Sequence, residues 1–203
     1  MGKPVDPGPR FRRDDSQSTA PPVLVGACSD PLLRLLITGA TPDCGLHPSG
    51  VWLQGAHIPE TLDLSFTKGR GRCVLRACRF EAEPQLAQTS LAQLSLDGSH
   101  LPGLFAQGVK VEGSLFLRAL TATGTVDVNG AKIGGQLDCE GATLDGAGGD
   151  ALNAQGVEIG ADLFLSDLTA KGTVDVNGAK IGGQLACTRA NLDGTTPDGT
   201  TGD

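Results

Sequence analysis

Aromatic and charged residues are scarce in this chain. It has no tyrosine, one tryptophan and six phenylalanines, and only 19% of its 203 residues are charged. Its 39% of hydrophobic residues nevertheless supply a core, and the length suits one domain. The composition indicates a soluble scaffold, in which the few aromatic residues stand out.

A long apolar run is also missing. The longest, Leu32–Ile37, contains Arg34 and is far shorter than the roughly 20 residues of a membrane-spanning helix. Arg10, Arg12 and Arg13 near the N-terminus are followed by no apolar segment, so no secretory signal is predicted. We expect a cytoplasmic protein without a transmembrane segment, for which peripheral membrane contact is still open.

Motifs of catalysis and metal binding are absent too. The three histidines have no neighbours that would form a dyad or triad, and there is no nucleotide-binding signature. Cys73 and Cys78 could begin a metal clip, but no histidine or third cysteine stands at a zinc-like spacing. The sequence therefore predicts no catalytic residue, no cofactor and no metal site.

Repetition is what the chain has in abundance. Residues 106–146 and 154–194 are near copies offset by 48, identical at 29 of 41 positions. A shorter rule runs inside them: apolar, any, apolar, then two or three turn residues. Such alternation is typical of short strands with two inward side chains. The 30 glycines suit the turns, because glycine adopts dihedrals that other residues resist.

This rule predicts the core. No helical spacing of 3.6 persists, and only Gly69 interrupts the pattern. The second inward position of each step is expected to be buried: Leu53, Ile58, Leu64, Leu75, Phe80, Leu86, Leu91, Leu96, Leu101, Ala106, Val111, Leu117, Ala122, Val128, Ile133, Cys139, Leu144, Ala154, Ile159, Leu165, Ala170, Val176, Ile181, Cys187 and Leu192.

Coil size follows from the 48-residue offset, which equals two coils of 22 residues plus a four-residue insertion at Asp145–Asp150. Four steps then close one coil, although three-sided coils remain possible. The expected fold is all-β: a right-handed, four-sided parallel β-helix of about six coils, with a short N-terminal helix as its cap.

Composition divides the chain into segments. Asp30, Pro31 and Gly39 have the residue types that cap, begin and end a short helix, which would cover the open first coil. The predicted segments are a disordered tail at 1–22, the capping helix and a linker at 23–50, the β-helix at 51–194 and a flexible tail at 195–203.

The cysteines are predicted to be free thiols. Cys73, Cys78, Cys139 and Cys187 fall at inward positions, and the last two lie two coils apart on one side, or roughly 10 Å at strand spacing. A disulfide needs Cα atoms within about 7 Å. Buried free thiols agree with a reducing compartment.

Outward positions sort into four rows, each with its own chemistry. Trp52, Val74, Phe116 and Phe164 are predicted to form an exposed contact surface, whereas rows of threonine and charge are typical of a solvated sheet. The rows are the aromatic row (Trp52, Val74, Ser95, Phe116, Asp138, Phe164, Ala186), the threonine row (His57, Arg79, His100, Thr121, Thr143, Thr169, Asn191), the aspartate row (Asp63, Gln85, Phe105, Asp127, Asn153, Asp175) and the lysine row (Lys68, Ser90, Lys110, Lys132, Glu158, Lys180).

Two resemblances follow from these patterns. The apolar–any–apolar steps resemble the pentapeptide-repeat β-helix superfamily, although few steps match its A-D/N-L-x-x consensus. A-K-I-G-G-Q-L-D-C-E-G-A-T-L and G-G-D-A-L-N-A, within 131–154, are similar to bacterial proteins labelled membrane-associated oxidoreductases, and this similarity covers roughly 45–194. The label implies redox activity, but no catalytic motif comes with it.

Three functions are therefore weighed. The first is a non-catalytic scaffold that presents its aromatic row to a protein partner, or self-associates by end-to-end stacking of coils. The second is the membrane-associated oxidoreductase of unknown substrate. The third is an acidic DNA mimic acting on a type II topoisomerase, as some pentapeptide-repeat proteins do. Nucleic acid itself is not expected as a partner, because residues 81–203 carry a net charge of −10.

Overall fold

A computed structural model of the chain describes residues 30–39 and 49–194. The predictions for the tails at 1–22 and 195–203, and for most of the linker with His47, lie outside the described residues. The described part contains one helix, α1 (Asp30–Thr38). Its strands are β1 Gly50–Gln54, β2 His57–Ile58, β3 Arg72–Arg76, β4 Arg79–Phe80, β5 Ser90–Leu91, β6 Gln93–Ser95, β7 His100–Leu101, β8 Leu104–Phe105, β9 Lys110–Val111, β10 Leu115–Phe116, β11 Thr121–Ala122, β12 Val126–Asp127, β13 Lys132–Ile133, β14 Leu137–Asp138, β15 Thr143–Asn153, β16 Glu158–Ile159, β17 Leu163–Phe164, β18 Thr169–Asp175, β19 Lys180–Ile181, β20 Leu185–Ala186 and β21 Asn191–Asp193.

The strands stack in parallel, as predicted. The first sheet has the order β1-β3-β6-β10-β14-β17-β20, with one strand from each successive coil. The second sheet has nine strands and the third has five. The molecule is a mostly β, parallel β-solenoid of about seven coils, against the six expected. Its four-sided section and right hand stay predictions.

Core burial follows the predicted register through most of the solenoid. Every predicted core position from Leu53 to Ala170 is buried. In the last described coil the prediction is wrong: Val176 and Ile181 are half-buried, and Cys187 and Leu192 are exposed. These side chains have a neighbouring described coil on one side only, whereas their counterparts in the first copy lie between two.

Helix α1 forms where the sequence predicts it. Gly39 follows it with a left-handed φ of 63°, and its N–H donates to the Leu35 carbonyl at 2.8 Å. Leu33 and Ile37 are buried in the common core. Gly69, the one exception in the core pattern, faces this helix: a Cβ there would lie 3.2 Å from Ile37 and 2.5 Å from Leu91. The missing side chain leaves room for the helix. Among the described residues no helix reaches the length and apolarity needed to cross a membrane.

The four-residue insertion is absorbed inside one strand pair. β15 pairs with β18 at an offset of 26 residues at Thr143↔Thr169 and of 22 at Leu152↔Val174, with register shifts between. The first sheet is paired regularly on both sides of it, through Leu137↔Leu163 and Leu163↔Leu185. The extra residues therefore disturb only one side of the solenoid.

The buried thiols are protonated. Burial raises the pKa of Cys73 and of Cys139 to about 12, because a thiolate loses its hydration in an apolar core. Both are free, as predicted. The Cys78 thiol is also buried and donates to the Arg76 carbonyl at 3.3 Å. Cys187 is free but exposed, which corrects the prediction that it is a core thiol.

Candidate interaction site on the aromatic row

The aromatic row is a continuous line of paired residues in the first sheet. Trp52 pairs with Val74, Val74 with Ser95, and Ser95 with Phe116. The line continues to Asp138, Phe164 and Ala186. Because parallel strands lie about 4.8 Å apart, neighbouring side chains of the row pack directly on one another.

Burial along the row is greater than the sequence suggested. Trp52, Val74, Phe116 and Phe164 are half-buried rather than exposed. The small polar members, Ser95 and Asp138, are buried, because each stands between larger neighbours. The row is thus an apolar surface with polar groups sunk into it.

A pocket of about 140 Å³ opens on this row. Its apolar lining includes Trp52, Val74 and Phe116, and its polar lining includes Arg72, Arg76 and Arg118 together with Asp97. Three of the four predicted contact residues meet here. Phe164 lies further along the row, beyond Asp138.

An ion-pair network fixes one edge of the pocket. Asp97 is only 7% exposed and accepts hydrogen bonds from Arg118 Nη2 at 2.6 Å and from Nε at 3.3 Å. Arg76 Nε lies 3.8 Å from the same carboxylate, and the Arg118 backbone N–H donates to it at 3.1 Å. The bonds to Asp97 raise the pKa of Arg118. The Arg118 guanidinium also lies 4.9 Å over the Phe116 ring, a distance at which cation and ring attract.

One charged side chain of the pocket has no partner among the described residues. The Arg72 side chain is exposed and forms no ion pair within the described ranges. Asp97, in contrast, is saturated by Arg118 and Arg76. The pocket therefore offers an unpaired guanidinium to an incoming group.

The arginines and Asp97 were not predicted as site residues. Sequence reasoning sorted the outward strand positions but not the turn positions that follow the strands. Arg76, Asp97 and Arg118 recur at steps of 21 residues, directly after the core residues Leu75, Leu96 and Leu117. The same register, applied to the turns, would have revealed the alternation of charge.

The other three rows are also paired lines, and several of their polar side chains bind one another. In the threonine row His57 Nε2 lies 3.0 Å from Glu81, which also binds Arg79. In the lysine row Glu158 lies between Lys132 and Lys180, at 3.1 and 2.9 Å, and these contacts, that to Lys180 first, lower the pKa of Glu158.

Two carboxylates of the aspartate row accept hydrogen bonds from glutamine side chains. Gln107 Nε2 donates to Asp127 at 2.7 Å and Gln155 Nε2 donates to Asp175 at 2.6 Å. Among the side chains of residues 30–39 and 49–194, no three of His, Cys, Asp or Glu cluster closely enough to hold a metal ion. The aromatic row and its pocket are accordingly the best candidate for a functional site.

Comparison with known proteins does not identify a family or a function for this chain. No protein-family model, no curated protein and no solved structure matches the chain.

Proposed function

We propose that the chain is a non-catalytic scaffold that binds a protein partner through its aromatic row. Trp52, Val74, Phe116 and Phe164 are the contact residues. The observation that carries this proposal is the pocket between Trp52 and Phe116, where apolar side chains lie beside arginines. Tryptophan and arginine are enriched among the residues that dominate binding energy at protein interfaces.

The size of the pocket supports a contact with one side chain. Pockets that enclose a small molecule have volumes of roughly 300–1,000 Å³, and this one has about 140 Å³. A glutamate, leucine or phenylalanine from a partner is of the right scale. The open, regular surface around it suits a protein more than an enclosed ligand.

The parallel β-solenoid fold is consistent with the resemblance to pentapeptide-repeat β-helices. We propose that the chain is a β-helix of this kind. Topoisomerase inhibition by an acidic DNA mimic has less support, since the positive charges of the lysine row dilute the negative charges of the aspartate row. The membrane-associated oxidoreductase remains an alternative without an observation in its favour.

The first prediction concerns partner binding. A Phe116→Ser/Phe164→Ser double variant should lose the partner, because both rings leave the aromatic row. Tagged protein is used to capture partners from the native cell, the captured protein is identified and purified, and binding is remeasured with both components pure. Circular dichroism checks that the solenoid is intact.

Phe105→Ser is the matched control. Phe105 is also half-buried and outward, but it lies in the aspartate row, paired with Asp127. This variant should retain the partner. If the double variant binds as well as the parent, or if Phe105→Ser is equally damaging, the aromatic row is not the contact surface.

A further inference from the structure

The pocket on the aromatic row also indicates what kind of partner it fits. Resting on the proposed function, we propose that it receives the carboxylate of a glutamate or aspartate, carried on an acidic peptide segment of the partner with apolar residues beside it. Arg72 supplies the principal charge contact.

The charges of the lining favour an anion. Arg72, Arg76 and Arg118 line the pocket with one carboxylate, Asp97, and Asp138 lies 3.9 Å from Arg118 beside it, so the positive charges exceed the negative ones by one. Arg70 also lies close to Arg72 in the chain. This is a local concentration of positive charge in a chain whose net charge is −7.

The three arginines have different tasks. Arg118 is held by two side-chain hydrogen bonds to Asp97, and Arg76 approaches the same carboxylate at 3.8 Å. Arg72 makes no ion pair with any described residue. It is therefore the guanidinium that can bind an incoming carboxylate without giving up a partner.

The guanidinium of Arg72, free among the described residues, points to the same chemistry. Arginine binds carboxylates through two parallel hydrogen bonds. Because Asp97 already lies among the arginines, a singly charged carboxylate is favoured over a doubly charged phosphate.

Apolar residues complete the match. Val74, Phe116 and the Trp52 ring line the same pocket, and they can pack against the methylene groups of the acidic side chain and against its apolar neighbours. The volume of about 140 Å³ is several times the roughly 30 Å³ that one water occupies. One carboxylate side chain therefore fits.

The single tryptophan of the chain is the probe for this second prediction. The probe peptides are acetyl-Ala-Leu-Glu-Leu-Glu-Ala-amide and its isostere with glutamine at both glutamates. Each is titrated into the full chain while the fluorescence of Trp52 is recorded. The acidic peptide should give a saturable change that weakens with added salt, and the glutamine peptide should not.

Arg72→Gln should weaken binding of the acidic peptide by about tenfold or more, because a charge-assisted pair is lost. Arg79→Gln is the control, since it removes one positive charge from the threonine row. The affinity of this variant for the acidic peptide should stay within about twofold of that of the parent. Arg118 is a poor choice, because its removal would strand the buried Asp97. Circular dichroism of both variants should match the parent.

Several results would overturn this inference: no fluorescence change at millimolar acidic peptide, equal binding of the glutamine peptide, equal effects of Arg72→Gln and Arg79→Gln, or tighter binding when phosphoserine replaces glutamate. If these occur while Phe116→Ser/Phe164→Ser still abolishes partner binding, the proposed function survives. If the double variant keeps its partner, the proposed function fails whatever the peptides do.

Discussion

At the residue scale, identical residues in the two copies differ in burial. Ile133 and Ile181 occupy the same place in T-V-D-V-N-G-A-K-I-G-G-Q-L. Ile133 is 2% exposed, whereas Ile181 is half-buried. Ile133 pairs with both Val111 and Ile159, whereas within the described part of the chain Ile181 pairs with Ile159 alone. The sequence predicts the same cost for both; the structure separates them.

The third prediction is that Ile133→Ala lowers the free energy of unfolding by about 2–5 kcal/mol, because it leaves a cavity in a packed core. Ile181→Ala should cost clearly less, since that side chain is only half-buried. Thr143→Ala, at an exposed outward position, should change stability by about 0.5 kcal/mol or less. Urea denaturation followed by circular dichroism measures all three. Equal losses at Ile133 and Ile181 would contradict the burial difference.

At the scale of elements, glycines of the turns serve two different needs. Gly130 has a left-handed φ of 63°, with nothing within 4 Å of where a Cβ would be. Gly160 lies close to the coil before it, and a Cβ there would be 2.2 Å from the Gly134 carbonyl oxygen. Gly134 and Gly182 show the same close approach, at 2.1 and 2.4 Å. The sequence indicates the first need, conformational freedom, but not the second, close stacking of coils.

The fourth prediction is that Gly160→Ala destabilises the protein more than Gly130→Ala. At Gly130 the cost is dihedral strain alone, of the order of 1 kcal/mol, and the equivalent turn position is Gln88 in an earlier coil. At Gly160 the new methyl group would collide with backbone, so adjacent coils must separate. Thermal unfolding of the two variants is the measurement. A larger loss at Gly130 would show that the coils are not as tightly stacked as described.

At the scale of the whole molecule, the solenoid is well covered at one end of the described region and exposed at the other. Leu33 and Ile37 of α1 are buried with the first coils. In the last described coil, Leu185 and Leu192 are each 50% exposed. The strands β19, β20 and β21 pair with a described strand on one side only. Such open edges favour pairing with another chain.

The fifth prediction is that this coil supports association of two copies. Light scattering of the full chain at tens of micromolar should show a mass that rises with concentration. A Leu185→Glu/Leu192→Glu variant should scatter as a monomer, because the added charges oppose burial of this surface. Leu32→Glu/Leu35→Glu, at exposed positions of α1, is the control and should still associate. A parent that stays monomeric over this range would contradict end-to-end stacking.

The repeat period of the sequence explains why the core and the paired rows could be predicted. A step of five or six residues determines which side chains point inward and which outward residues pair, and both agree with the structure from Leu53 to Ala170. The pocket could not be predicted in the same way. It depends on Arg72 remaining unpaired while Arg118 is held by Asp97, and on how deeply Trp52 lies, which periodicity does not record.

The register shift between β15 and β18 bears on how the length of the repeats can change during evolution. Four additional residues are accommodated in the second sheet while Phe116, Asp138 and Phe164 keep their regular pairing in the first. Insertions and deletions in the gene at this point would lengthen or shorten one side of a coil without moving the aromatic row. Duplicated copies can thus diverge in length and still keep the aromatic row in register.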